Sequence, residues 1–196
     1  VTALSREEFD AIEFDAAASG DHESAARRMN RLAWAGTETD SMPRSEAFLR
    51  AGEQWLLADD PAAAATGFRL AMADGGPVFV DPRVPLARAL FLLDKSAEAQ
   101  SLLDKMKAEG RRDPRMCDLV AELLVERSDL AGALDWATAG VEQCLERRSG
   151  PGRGGGSSGD EDDAEAELRL LLSLRYRIRN DLGLPEDSYD ELLDEA

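Results

Sequence analysis

Small residues at Gly52, Ala87 and Ala121 are each followed twelve positions later by an alanine, at Ala64, Ala99 and Ala133, and the steps between those alanines are 35 and 34. Around each pair the bulk recurs in phase. Phe48, Ala51 and Trp55 surround Gly52, with Phe68 and Ala71 after Ala64; Leu86 and Leu90 surround Ala87, with Leu103 and Met106 after Ala99. Cys117, Val120 and Leu124 surround Ala121, with Ala137 and Gly140 after Ala133. These positions follow the spacing of one helix face. Two helices that meet at small residues approach closely, and large neighbours fill the volume around the contact. A chain patterned this way is expected to fold as consecutive helical hairpins that nest by the same knobs and gaps. A helical bundle without repeats is the other reading.

The hairpin at residues 45–77 is the clearest copy. A polar turn at Asp59, Asp60 and Pro61 joins its helices, Ser45 is placed to cap the first, and Gly75, Gly76 and Pro77 stop the second. The opening segment starts with a capping-box pattern, Ser5 and Glu8, and carries Phe9, Ile12 and Ala16 at helical spacing until Gly20. Its second helix has Ala25, Met29 and Leu32 on one face. Glu13 falls where Gly52 sits, so this first hairpin is either degenerate or a terminal cap. The polar connector 36–44 accounts for a step of 39 from Ala25 to Ala64. In the next connector Val78, Phe79 and Val80 are too apolar for a free loop, and Phe79 is expected to tuck against the stack.

Residues 149–159, SGPGRGGGSSG, hold nothing that builds a core and are expected to be a flexible linker. A helix of about five turns is expected from Asp162 to Leu182, closed by Gly183 and Pro185, with acids at its N-terminus and Arg175, Arg177 and Arg179 near its C-terminus to suit the helix dipole. Leu168, Leu171, Leu172, Leu174, Tyr176 and Ile178 cover more than one face, so this helix should pack back on the repeats. The tail is expected to add a short helix using Tyr189, Leu192 and Leu193.

The formal charge is −17, from 40 acidic and 23 basic residues, and residues 160–196 alone carry 13 acids and four bases, or −9. A surface of that sign repels phosphates and anionic lipid, which argues against nucleic acid and membrane as partners. No apolar run approaches the ~18 residues of a membrane span. Cys117 and Cys144 are too few and too far apart for a metal motif, and two reduced buried thiols in a cytoplasmic protein are expected. Arginine far outnumbers lysine, which occurs only at 95, 105 and 107; with abundant Ala, Gly and Asp this points to a bacterial source.

The order of sizes in the hairpins resembles the tetratricopeptide repeat (TPR), a 34-residue helix–turn–helix unit. The resemblance covers residues 5–145 and implies an all-α fold, a right-handed α-α superhelix of TPR-like hairpins with a C-terminal packing helix. Its segments would be about four hairpins over 1–148, the linker at 149–159 and an acidic helical segment over 160–196. The ending RLLLSLRYRIRNDLGLPEDSYDELLDEA, residues 169–196, is similar to the end of actinobacterial TPR proteins that often accompany the SEC-C zinc motif. The cysteine-rich cluster of that motif is absent here, so no metal role is carried over.

In a TPR array the first helix of each hairpin lines the binding groove. Carried over residue by residue, the contact places fall on Leu49, Glu53 and Leu56, on Val84, Arg88 and Phe91, and on Asp118, Glu122 and Val125. The lysine and asparagine set with which some members grip a C-terminal carboxylate is missing, so the groove would suit a helical or extended segment with apolar anchors and some positive charge. Alternatively the C-terminal helix occupies the groove itself. The arginines of that helix would meet either phosphate or the acidic face of the repeats.

Catalytic and cofactor motifs are absent: there is no GxSxG, P-loop, HExxH or GxGxxG. His22 is placed at a helix start among acids and is expected to be exposed, and Cys117, on a core position, has no histidine near it in the pattern. Acid pairs such as Glu122 with Glu126 and Asp187 with Asp190 are expected to be solvated faces. The expectation is a non-catalytic scaffold without cofactor or metal that binds an unknown protein or peptide. The alternative is an acidic mimic of DNA that blocks a DNA-binding protein.

Overall fold

The computed structural model describes residues 3–39, 41–110, 113–149 and 158–195. Residues 150–157 of the expected linker lie outside them. Ten helices occupy the described residues: α1 (Arg6–Ser19), α2 (His22–Ala35), α3 (Arg44–Leu57), α4 (Pro61–Asp74), α5 (Arg83–Leu92), α6 (Ser96–Ala108), α7 (Pro114–Glu126), α8 (Leu130–Ser149), α9 (Ser158–Asp181) and α10 (Ser188–Glu195). No strand occurs among the described residues, only isolated bridges such as Ala3 with Thr37. The fold is all-helical, and the helices pack against their neighbours in sequence order.

The repeat is visible in the backbone of the turns. Asp59, Asp94 and Ser128 each take a left-handed conformation, with φ of 58°, 59° and 60°, and they stand 35 and 34 residues apart. After each, the next N–H returns to the carbonyl five residues back: Asp60 to Trp55, Lys95 to Leu90 and Asp129 to Leu124, all at 2.9 Å. The N–H of each left-handed residue also returns to the carbonyl three back, and this double closure satisfies carbonyls that the helix end would otherwise leave open. In two of these turns the same residue then caps the following helix, since the carboxylates of Asp60 and Asp129 accept from the N–H groups of Ala63 and Gly132. Gly183, at the end of α9, closes in the same way through Leu184 and Arg179.

The chain packs as two compact units, Val1–Lys105 and Met106–Ala196. The division falls within α6 rather than at the glycine-rich stretch. In the first unit α3 lies against both α2 and α4, and α4 against α5. Gly52, Ala87 and Ala64 are all buried, and Gly67 of α4 faces the backbone of α3 at Gly52. A Cβ on Gly67 would stand 3.1 Å from the Cα of Gly52, and one on Gly52 would stand 2.6 Å from the Phe68 ring. Size periodicity pointed to Ala64, which is buried as expected; Gly67, three residues on and outside the period, also faces Gly52 with no room for a side chain.

Two local expectations are corrected. Ser45 does not cap α3: the helix begins at Arg44 after Pro43, and the Ser45 hydroxyl is buried and donates to the Pro77 carbonyl at 2.8 Å. Pro43, with its ring-fixed φ of −60° and an extended ψ of 151°, stands before the helix as its cap residue, and the serine holds the following connector. Phe79 does not tuck in; it is 72% exposed, although its N–H donates to the Glu46 carboxylate at 2.9 Å. The connector is fixed by its backbone, and the ring is left outside. In α2, Ala33 is buried where Leu32 is half-buried.

In the second unit α7 and α8 pair closely, and α9 packs mainly on α8 and less extensively on α7. Leu168, Leu171, Leu172, Leu174 and Ile178 are buried. Gly140 admits this arrangement: a Cβ there would stand 2.9 Å from the Cβ of Cys117 and 2.8 Å from Leu171. α9 thus follows α8 in the packing, as α3 follows α2 in the first unit. α10 then packs on α9. Its start is a capping box in which the Asp187 carboxylate accepts from the Tyr189 N–H and the Asp190 carboxylate accepts from the Asp187 N–H, both at 3.0 Å.

Candidate functional site

Within the first unit the helices α1, α3 and α5 expose one side, and the side chains there enclose a groove of about 520 Å³. Glu13 comes from α1, Glu53, Gln54, Leu56 and Leu57 from α3, and Arg88 and Leu92 from α5. Leu57 and Leu92 are 61% and 56% accessible. Leu57 follows Glu53, and Leu92 follows Arg88, by four residues, so each helix presents a charged group and an apolar group one turn apart. A smaller hollow of about 250 Å³ shares Glu13 and Glu53 and continues to Glu46, Arg50 and the Phe79–Val80 connector.

Arg50 organises the acidic end. It is buried, its Nε donates to Glu13 at 2.8 Å, its Nη2 donates to Asp10 at 2.6 Å, and its guanidinium lies 5.6 Å from the centre of the Phe9 ring. Burial opposes its charge, but the hydrogen bonds it donates to Glu13 and Asp10 outweigh this and hold it more firmly protonated than usual. This pairing ties α1 to α3 and explains how a glutamate is accommodated at position 13. Glu53 lies beside this arrangement without sharing in it. Its carboxyl is pushed up from 4.5 to about 7, first by burial and then by the charges of Glu13 and Glu46, with Arg50 acting in the other direction.

Of the residues carried over by resemblance, Glu53, Leu56 and Arg88 come together in the groove. Leu49 borders the smaller hollow but is 1% exposed, and Val84 and Phe91 are buried; these three belong to the core. Leu57, Leu92 and Glu13 were not among the candidates. The signal for the leucines was present, because 57 and 92 are separated by the same 35 residues that separate 53 and 88. His22 is half-buried rather than exposed, with Nδ1 2.9 Å from the side-chain oxygen of Gln54, which lines the groove.

In the second unit Asp118 and Val125 are half-buried and Glu122 is exposed. Burial, then Glu122 and Glu167, raise the Asp118 carboxyl, and Arg177 counteracts them. Both thiols are buried and neither is in a disulfide. The Cys144 thiol is pushed up to about 11, chiefly by burial, which leaves it un-ionised near neutral pH. Among the described residues no three His, Cys, Asp or Glu side chains gather as a metal site.

Arg175 and Arg179 of α9 take the tail, rather than the acidic face of the repeats, as their main partner. Arg175, 3% exposed, donates to Thr138 at 3.1 Å and to Asp187 and Asp190 at 3.0 Å, and Arg179 donates to Asp190 at 3.0 Å. Tyr189 lies against the same Arg175 guanidinium, which is 4.7 Å from its ring centre. The pair Asp187 and Asp190 is thus a counter-ion set for two arginines rather than a solvated face. The turn at Gly183 folds the tail back and brings these acids within reach.

These features define a class: an all-helical protein of consecutive hairpins with a side-on groove in its first unit. Comparison with protein-family models, with curated proteins and with solved structures finds no match for this chain. Among the described residues no helix is long and apolar enough to cross a membrane.

Proposed function

We propose that the protein is a non-catalytic interaction scaffold of TPR-like organisation, a right-handed stack of hairpins that binds a peptide or helix of another protein along its first helices. The single observation that carries this reading is the groove between α1, α3 and α5, where Leu57 and Leu92 are exposed at matching places beside partly buried charged groups. Clusters of exposed apolar side chains rimmed by polar ones are the usual mark of a docking surface. The DNA-mimic reading would need carboxylates ordered in a stripe on rigid helices, and two of the tail's acids, Asp187 and Asp190, are paired with Arg175 and Arg179 instead. A cytoplasmic location suits two buried cysteines that form no disulfide.

The test is site-specific photo-crosslinking in a bacterial lysate, with the reactive group placed at position 57 or, as a control on an exposed part of α4, at position 62. A discrete adduct from position 57 alone supports the scaffold. Identical adducts from both positions, or none from either, count against it.

A further inference from the structure

Glu53 is the one charged group on the groove face of α3 that makes no hydrogen bond or ion pair among the described residues. Arg50, whose charge acts on it, is already bound to Glu13 and Asp10. The two hollows that meet at Glu53 are lined by four carboxylates, Asp10, Glu13, Glu46 and Glu53, against Arg6, Arg50 and Arg88. A fourth cation would balance the set. Beside Glu53, one turn along α3, stands Leu57, and Leu92 stands at the matching place on α5. A ligand satisfying both features needs a positive charge and apolar groups about one helical turn apart, which is the spacing an amphipathic helix supplies.

We propose that this groove takes an amphipathic helical segment of another protein, whose apolar residues rest on Leu57 and Leu92 and whose lysine or arginine pairs with Glu53. The proposal rests on the scaffold reading above and adds the chemistry of the partner. Phosphate-bearing ligands are disfavoured by the same carboxylates. A charged hydrogen bond to a half-buried carboxylate is stronger than a neutral one, and it also fixes the direction in which the segment lies. The surplus negative charge adds to burial in raising the Glu53 carboxyl, and a bound cation would relieve it.

The experiment pans a displayed library of helical peptides, with randomised surface positions, against the full chain and against its Glu53→Gln and Leu57→Asp/Leu92→Asp forms, each checked for its helical signal and melting. Expected are binders enriched in lysine or arginine one turn from an apolar residue. These should weaken about tenfold on Glu53→Gln, the worth of one charge-assisted bond, and be lost on the double leucine variant. Binders that need the leucines but bind the Glu53→Gln form equally well overturn the cationic pairing and leave the scaffold standing. Failure to recover any binder that needs the leucines overturns both. Concentration-dependent dimerisation abolished by the double leucine variant would name a second copy of this chain as the occupant and overturn the proposal.

Discussion

Replacing Glu53 by glutamine should stabilise the protein, and by an amount that depends on pH. A carboxyl raised from 4.5 to about 7 on folding is easier to protonate in the folded state than in the unfolded one. Its contribution therefore favours folding below the ordinary value of 4.5 and is lost as pH rises through about 7. The gap between the two values corresponds to a ceiling of about 3 kcal/mol, at about 1.4 kcal/mol per pH unit. Solvent reaches the groove mouth and screens Glu13 and Glu46, so about 1–2 kcal/mol is the expected difference. Glutamine keeps the shape and removes the charge. Urea unfolding at pH 5 and pH 8 in a Trp136→Phe background, where the remaining tryptophans Trp34 and Trp55 both report on the first unit, measures this directly. The variant should lie close to the parent at pH 5 and exceed it by about 1–2 kcal/mol at pH 8. An equal shift at both pH values, or a loss at pH 8, would refute the assignment of Glu53 as a crowded, unpaired carboxylate.

Gly52→Ala should destabilise the first unit by about 1–3 kcal/mol, because its Cβ would stand 2.6 Å from Phe68, and Phe68→Leu should recover part of the loss; thermal melts of the single and double variants check this. Ser128→Gly should raise stability by up to about 1 kcal/mol, since serine there holds a φ of 60° that glycine adopts without cost, while the same change at Ser96, inside the first turn of α6, should lower it. Arg175→Met should cost about 3–5 kcal/mol and release α10, seen as faster amide exchange over residues 188–193, because two carboxylates lose a buried partner. Acid should loosen the same segment: hydrogen bonding to Arg175 lowers the Asp187 carboxyl, so its stabilising contribution is present above the ordinary carboxylate value and is lost as pH falls through the lowered one. Exchange in α10 that is unchanged between pH 6 and pH 3 would contradict that.

Much of the local structure was legible in the chain, and the reason is that helix faces and turns are short-range features. The recurrence of Ala64, Ala99 and Ala133 located the hairpins because a 3.6-residue period and a fixed turn length leave little freedom, and the left-handed residues Asp59, Asp94 and Ser128 keep the same intervals. The helix ends at Gly20, Gly75 and Gly183 followed from the backbone freedom of glycine, with φ of 76°, 71° and 66°. The groove was only half legible. Resemblance placed Glu53, Leu56 and Arg88 on it, but it also placed Leu49, Val84 and Phe91 there, and these turned inward. Whether an apolar residue at the margin of a helix face is core or surface depends on the neighbouring helix, and no pattern within one segment records that.

The amino-acid order alone settled that the chain is helical, where each hairpin turns, and that small residues meet large ones at regular intervals, because these depend on neighbours within a turn or two. The folded packing decided that Gly67 meets the backbone of α3 at Gly52, that Arg50 is spent on α1 and leaves Glu53 unpaired, and that Arg175 turns to Asp187 and Asp190. Those outcomes depend on which charges and surfaces come within a few ångströms across gaps of 12 to 40 residues. Electrostatic and steric contacts act through space, so their winners are chosen only once the helices stand side by side.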